Sequence, residues 1–148
     1  MRAQYARRTC LAVAAAIAVS ACDTGPEGTG LVPTFATPTA KTETFTGTVP
    51  VGGSDSHPFS SANYGEVSIT LTSAGPASDV VMGVGIGAPT SIVDSSCRLY
   101  QNAFVNTPAG STPQLTGNIP AGSYCVQVFD SGSQAAPVTY SVTVVHVQ

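Results

Sequence analysis

The chain has 148 residues, of which 43% are hydrophobic and 9% charged, and it contains no tryptophan. Three of its five basic residues lie within the first eight positions, so residues 22–148 retain two basic and eight acidic side chains, a formal net charge of −6. An acidic surface of this kind repels polyanions, which argues against nucleic acid as a partner. The length allows one domain with its own core, and is too short for two.

The first 22 residues have the order of an export signal. A basic head precedes an apolar run, and small residues and a cysteine follow: Arg2, Arg7, Arg8, Leu11–Val19 and Val19-Ser20-Ala21-Cys22. The run is too short to span a bilayer stably, but it suits the core of a signal peptide. Its end resembles the bacterial lipobox, in which an aliphatic residue and two small residues precede a modified cysteine.

This resemblance implies a bacterial lipoprotein. Residues 1–21 would form a signal-peptide helix that is removed, and Cys22 would carry acyl chains such as palmitate. The protein would then be anchored by lipid in the bacterial cell envelope, facing the periplasm or the exterior. The resemblance leaves open which membrane receives the protein and which export route it takes.

Residues 22–41 predict a flexible tether. No hydrophobic period runs through this segment, and turn-forming residues recur in it: Gly25, Pro26, Gly28, Gly30, Pro33 and Pro38. Proline and glycine at this density oppose both helix formation and strand pairing. We therefore expect a disordered spacer that lifts the following domain away from the lipid surface.

Strand-like patterns fill residues 42–148. Thr44 to Val49 alternates, and Val51 to Ser56 predicts a loop. Glu66 to Thr72 is the clearest run of period two, with Val67, Ile69 and Leu71 on one face. Further strands are predicted within Val80–Ile86, Cys97–Gln101, Leu115–Ile119, Gly122–Asp130 and Val138–Val147. The glycines of Val80–Ile86 indicate a bulge or a close neighbouring backbone.

The spacing of these runs, with glycine and proline turns between them, predicts a single all-β domain. The clearest run, Glu66 to Thr72, alternates between a dry and a wet face, as the strands of an antiparallel sheet do. No stretch after residue 22 shows a helical period. We expect an antiparallel β-sandwich of seven to nine strands.

The cysteines support an exported location. Cys10 leaves with the signal and Cys22 takes the lipid, so Cys97 and Cys125 remain as one pair. An oxidising compartment permits a disulfide between them, which we predict. Two free buried thiols are the alternative. Strand alternation does not settle which face the pair lies on. If Leu99 faces the core, Cys97 does too, whereas Cys125 points outward. A bulge or an edge placement would reconcile the two.

Three segments in order resemble the bacterial pre-peptidase C-terminal domain: Gly65–Leu71, Pro120–Val128 and Tyr140–Val144. That family is a jelly-roll-like β-sandwich appended to secreted enzymes, and the likeness spans about Thr42 to Val147. It implies a jelly-roll-like fold and a non-catalytic accessory or binding module. Family members carry acidic residues that can support calcium, whereas here Asp79 stands alone before Val80, so we predict no metal.

One cluster carries the residue types of a nucleophilic triad, Ser54-Asp55-Ser56-His57. Neighbouring residues of a single loop diverge, so we interpret it as a turn in which Asp55 bonds local backbone. His146 is expected to be a surface or satisfied histidine. We also predict that Asp55, Asp79, Asp94 and Asp130 do not converge on a cation.

The sequence therefore favours a lipid-anchored, non-catalytic binding or structural module without a cofactor. Its partner, a protein or a polysaccharide, is not specified by any motif. Two alternatives remain at this stage. One is a small hydrolase or carbohydrate-active enzyme whose acids meet only in the fold, and the other is an accessory subunit of a surface peptidase or transport complex.

Overall fold

A computed structural model describes residues 37–77, 79–91 and 96–148. Within these ranges the chain forms eight strands: β1 (Ala40–Val49), β2 (Ser54–Ser61), β3 (Gly65–Gly75), β4 (Met82–Pro89), β5 (Cys97–Thr107), β6 (Leu115–Ile119), β7 (Gly122–Asp130) and β8 (Val138–Val147). The same residues contain no helix long and apolar enough to cross a membrane. The predicted signal peptide, Cys22 and the tether up to Ala36 lie outside them.

The eight strands form two antiparallel sheets of four, in the orders β1-β8-β3-β6 and β2-β7-β4-β5. Successive strands mostly alternate between the sheets, which gives the strand order of a jelly roll. The prediction of an all-β, jelly-roll-like sandwich with seven to nine strands is confirmed. Strand β1 begins at Ala40, two residues before the expected boundary at Thr42.

The core lies between the sheets and is built from the alternating strands. Val67, Ile69 and Leu71 face inward from β3, as predicted, and each is at most 4% exposed. Strand β8 contributes Val142 and Val144, which are fully buried. Each such side chain stabilises the fold by roughly 1.5–3 kcal/mol through removal of apolar surface from water.

Strand β4 is buried on both faces. Met82, Val84 and Ile86 enter the core, whereas Gly83, Gly85 and Gly87 point outward. A Cβ atom at Gly83 would meet the ring of Phe129, and one at Gly87 would meet the carbonyl of Arg98. The expected close neighbouring backbone is therefore present, and it explains why this strand carries glycine at every second position.

Strand β5 contains a large bulge. Gly85 pairs with Phe104 and Gly87 pairs with Leu99, so Ile86 alone faces the four residues 100–103. Asn102, in this loop, has a φ of 61°. The bulge resolves the facing of the cysteines, because Leu99 lies on the outer face against Gly85.

The predicted disulfide is present and joins Cys97 of β5 to Cys125 of β7, with the Cα atoms 5.8 Å apart. Both cysteines pair with β4, which lies between their strands: Cys97 with Pro89 and Cys125 with Gly87. The bridge therefore closes over the end of β4, where Gly87 leaves space for the backbone of β5.

The expected loop over residues 51–56 is shorter than predicted, because β2 begins at Ser54. Ser54 to Ser61 pairs antiparallel with β7, from Ser54 opposite Phe129 to Ser61 opposite Gly122. Pairing with a distant strand overrides the local preference of serine and aspartate for turns. The interpretation of Ser54–His57 as a turn is therefore wrong.

Candidate functional site

A polar cluster lies between the sheets at the edge formed by β1 and β2. Asp55 and His57 are two residues apart in β2 and point to the same face, where Tyr140 of β8 meets both. The Tyr140 hydroxyl lies 2.8 Å from Asp55 Oδ2 and 2.7 Å from His57 Nε2. Phe45 of β1 stacks on the imidazole at 4.9 Å between ring centroids.

The hydrogen bonds define where the protons are. Burial raises the pKa of the Tyr140 phenol, and the Asp55 carboxylate raises it further. The phenol therefore stays protonated and donates its hydrogen to Asp55. The phenol oxygen then accepts a hydrogen bond from His57 Nε2–H. Gly47 makes room for this arrangement, because a Cβ atom there would collide with the carboxylate of Asp55 and lie 2.8 Å from the Tyr140 hydroxyl oxygen.

This geometry does not form a nucleophilic triad of Ser, Asp and His. Ser54 and Ser56 alternate with Asp55 and His57 along β2, so their hydroxyls point away from the imidazole. Ser54 Oγ instead accepts a hydrogen bond from Gln127 at 3.1 Å. The divergence of the serines was predicted, and the shared face of Asp55 and His57 was not.

A second pair of hydrogen-bonded polar side chains lies at the same edge. The side chain of His146 is fully buried, and its Nε2 lies 2.8 Å from Glu43 Oε1. Lys41 contacts the same carboxylate at 3.1 Å. Burial raises the pKa of Glu43, but the hydrogen bonds from His146 and Lys41 outweigh it and leave the pKa below its usual value. His146 is thus a satisfied, buried histidine and is not on the surface.

Two of the aspartates that were predicted not to converge on a cation accept hydrogen bonds from nearby backbone. Asp130 Oδ1 accepts from the backbone N–H groups of Gly132, Ser133 and Gln134, and Asp55 Oδ1 accepts from Ser56 N–H. Asp94 lies outside the described residues. Within the described ranges, no group of three or more His, Cys, Asp or Glu side chains is placed to hold a metal ion.

The opposite edge of the sandwich, between β5 and β6, is open. A cleft of about 240 Å³ enters there between the sheets, and it reaches Val67, Ile69 and Ile86 of the core. The residues at its rim are uncharged: Tyr100 and Asn102 from the bulge of β5, and residues 116–118 of β6. Gly117 pairs with the inward Val67, so the neighbouring side chains of Thr116 and Asn118 point to the outer face of the sheet.

Two features keep this cleft open. The bulge carries residues 100–103 away from β4, and the small side chain of Ala103 turns toward the core. On the other wall, a Cβ atom at Gly117 would have no neighbour within 4 Å. The cleft was not predicted from the sequence, in which Gly117 inside a short strand is a weak local signal. Asn102 takes its positive φ in the bulge.

Comparisons with known proteins give little further guidance. No family model and no curated protein matches the chain. One solved structure to which the fold is similar is the crystal structure of Aeromonas hydrophila PliG, a periplasmic lysozyme inhibitor of g-type lysozyme. The two are 15% identical, with a TM-score of 0.43 over 74% of this chain and 88% of that chain. A similarity of this size carries no argument about function.

Proposed function

We propose that this chain is a lipid-anchored, non-catalytic binding module of the bacterial cell envelope, and that it binds through the cleft between β5 and β6. The cleft carries the binding part of the proposal. It is concave, its floor is apolar and its rim holds a few polar side chains, which is the usual composition of a binding site.

The anchoring part of the proposal rests on the sequence. A basic head, a short apolar run and Val19-Ser20-Ala21-Cys22 follow one another as in lipoprotein precursors. The Cys97–Cys125 disulfide supports export, because such bonds persist in oxidising compartments. Anchoring would hold the domain at a membrane surface, while the cleft opens at the side of the sandwich.

The state of the reactive side chains supports a non-catalytic role. His57 is bonded to a phenol that stays protonated, and both cysteines of the described domain are joined to each other. General base or nucleophilic catalysis needs a nucleophile within hydrogen-bonding reach of the base. The neighbours of His57 are instead Tyr140, Asp55 and the stacked ring of Phe45.

Site-specific photo-cross-linking in intact envelopes tests the binding site without knowledge of the ligand. A photoreactive benzoyl-phenylalanine would replace Tyr100, which is 42% exposed on the rim and is itself aromatic. The matched control carries the same residue in place of Val51, which is 55% exposed in the β1–β2 turn at the opposite edge.

We expect a discrete cross-linked product from position 100 and none from position 51. Products from both positions in equal yield, or from neither, would contradict binding through the cleft. Treatment of the product with protease or with periodate then distinguishes a protein from a saccharide component.

A further inference from the structure

We propose that the cleft between β5 and β6 takes a single uncharged saccharide ring. This inference deepens the proposed function, and rests on it, by naming the class of ligand. It follows from the charge of the cleft, the placement of its polar groups and its size.

The charge of the cleft excludes ionic ligands. None of the side chains that line it is charged. A ligand carboxylate, phosphate or ammonium group would lose its hydration there without gaining a counter-charge, which is costly. The ligand of this cleft is therefore neutral.

A polar group of the rim matches hydroxyl groups. Asn102 lies on the wall formed by the bulge of β5, and its amide offers both a donor and an acceptor. A sugar hydroxyl likewise donates and accepts, so this amide can engage a pair of hydroxyls. Charged side chains are not required for such contacts.

The apolar groups of the cleft match the C–H faces of a sugar ring. The floor consists of Val67, Ile69 and Ile86, and the ring of Tyr100 stands at the rim. Tyr100 packs edge-on against Tyr124 at 6.5 Å, and the Tyr124 hydroxyl is itself held by the carbonyl of Pro120 at 2.8 Å. These contacts orient Tyr100 before a ligand arrives, which reduces the entropy lost on binding.

The size of the cleft limits the ligand to one ring. Its volume is about 240 Å³. One sugar ring fills this space, and a longer chain would extend past the rim into solvent. A contact of this size gives a Kd on the order of 1 mM for a free monosaccharide.

NMR titration of the ¹⁵N-labelled protein, full-length with the lipid acceptor Cys22 in place and held in detergent, tests the proposal. The probes are glucose, galactose, N-acetylglucosamine, glucuronic acid and cyclohexanol, each raised to on the order of 50 mM, well above the expected Kd. Glucuronic acid adds a carboxylate to the glucose ring, and cyclohexanol keeps a six-membered ring with one hydroxyl.

We expect at least one neutral sugar to shift amide resonances of β5 and β6, and to bind at least tenfold more tightly than glucuronic acid and cyclohexanol. Gly117→Val should weaken this binding at least tenfold, since its side chain projects into open space without disturbing a neighbour. Tyr100→Ala should do the same. The control variants Thr44→Val, on the outer face of β1, and Tyr64→Ala should bind as the parent does.

Three results would overturn the saccharide proposal. These are the absence of shifts with every neutral sugar, equal binding by Gly117→Val, and cyclohexanol binding as tightly as the best sugar. The cross-link from position 100 separates this failure from failure of the proposed function. If that cross-link forms while no sugar binds, the cleft binds a ligand of another class.

Discussion

At the scale of single residues, Asp130 joins two turns of the sandwich. Its Oδ2 accepts a hydrogen bond from Gly52 N–H at 2.8 Å, while its Oδ1 accepts from the backbone of residues 132–134. The bond from Gly52, followed by those from Gly132, Gln134 and Ser133, lowers the pKa of Asp130 despite some loss of hydration. One carboxylate therefore fixes the β1–β2 turn against the β7–β8 turn.

We predict that Asp130→Asn lowers the melting temperature by a few degrees at neutral pH. An amide keeps one acceptor, but its NH₂ group would face the N–H of Gly52 and replace attraction by repulsion. Because the folded pKa of Asp130 is depressed, its contribution is present above its unfolded pKa and is lost as the pH falls through the folded value.

Thermal unfolding at pH 7 and at acid pH measures this effect. Asp79→Asn, at an exposed position, is the control and should melt as the parent does. A melting temperature of Asp130→Asn equal to that of the parent at pH 7 would show that the two turns are held by other contacts.

Tyr140 makes the stability of the fold sensitive to alkali. It is 3% exposed, and burial, followed by the hydrogen bond and charge of Asp55, raises its pKa above 10. The unfolded chain ionises its tyrosines near pH 10, whereas folded Tyr140 keeps its proton. Its contribution is therefore complete below pH 10 and is lost as the pH rises from about 10 toward the folded pKa.

Tyr140→Phe should lower the free energy of unfolding by about 1–3 kcal/mol at pH 7, because Asp55 and His57 lose a shared partner. It should also reduce the loss of stability between about pH 9 and 11. Urea unfolding at pH 7 and across about pH 9 to 11 measures both effects. Tyr64→Phe, at an exposed site, should change neither. An alkaline dependence in Tyr140→Phe as steep as that of the parent would contradict this account.

At the scale of elements, the disulfide closes a sequence separation of 28 residues and joins β5 to β7 across β4. On the chain-entropy model, such a loop stabilises the folded state by about 3–4 kcal/mol. The two sheets nevertheless share a continuous apolar core that does not include the bridge.

Replacing Cys97 and Cys125 by alanine should therefore lower the free energy of unfolding by about 3–4 kcal/mol and leave the domain folded. Denaturant unfolding with circular dichroism measures the change, and mass spectrometry of the non-reduced parent checks the linked peptide pair. Both cysteines freely alkylated in protein from the envelope would contradict the bridge, and an unfolded double variant would contradict an independent core.

The sequence predicted those strands in which apolar and polar residues alternate. Strand β3 carries apolar residues on one face and mainly hydroxyls on the other, and most of β8 follows the same pattern, so their period is visible locally. Strand β2 was missed in part because its inward positions include Asp55 and His57, which match Tyr140 and not an apolar core. Their partner is 83 residues or more away in the chain, and no local pattern reports it.

The cleft was hidden from sequence analysis for a topological reason. Its walls come from β5 and β6, which are edge strands of different sheets and meet only through the folded strand order. Its opening depends on the register shift between Gly85 and Gly87, which also sets the face on which Leu99 lies. A register shift of this kind is determined by pairing between strands and leaves little trace in the residues themselves.

At the scale of the whole molecule, the proposed lipid anchor near the N-terminus would precede a sandwich that begins at Ala40. The two ends of the sandwich lie together, since Thr39 and Gln148 exchange backbone hydrogen bonds. The tether therefore enters the domain beside its C-terminus. Two or three acyl chains would hold such a protein firmly, because each buried CH₂ contributes about 0.8 kcal/mol.

We predict that Cys22→Ala abolishes signal cleavage at that position and leaves the precursor without lipid. Membrane fractionation and mass spectrometry of the N-terminal peptide measure this, with Cys10→Ala as the control that should be processed normally. A Cys22→Ala protein that is still cleaved after Ala21 and still partitions with membranes would show that the lipobox interpretation is wrong.

Amide hydrogen exchange of the full chain shows whether the β5–β6 edge is the binding surface. The exchange is compared between protein in intact envelopes and protein purified in detergent. The account predicts slower exchange in the envelope for the bulge of β5 and for β6, with the β1–β2 edge unchanged. Equal exchange at β5 and β6 in both preparations, or protection confined to the β1–β2 edge, would contradict it.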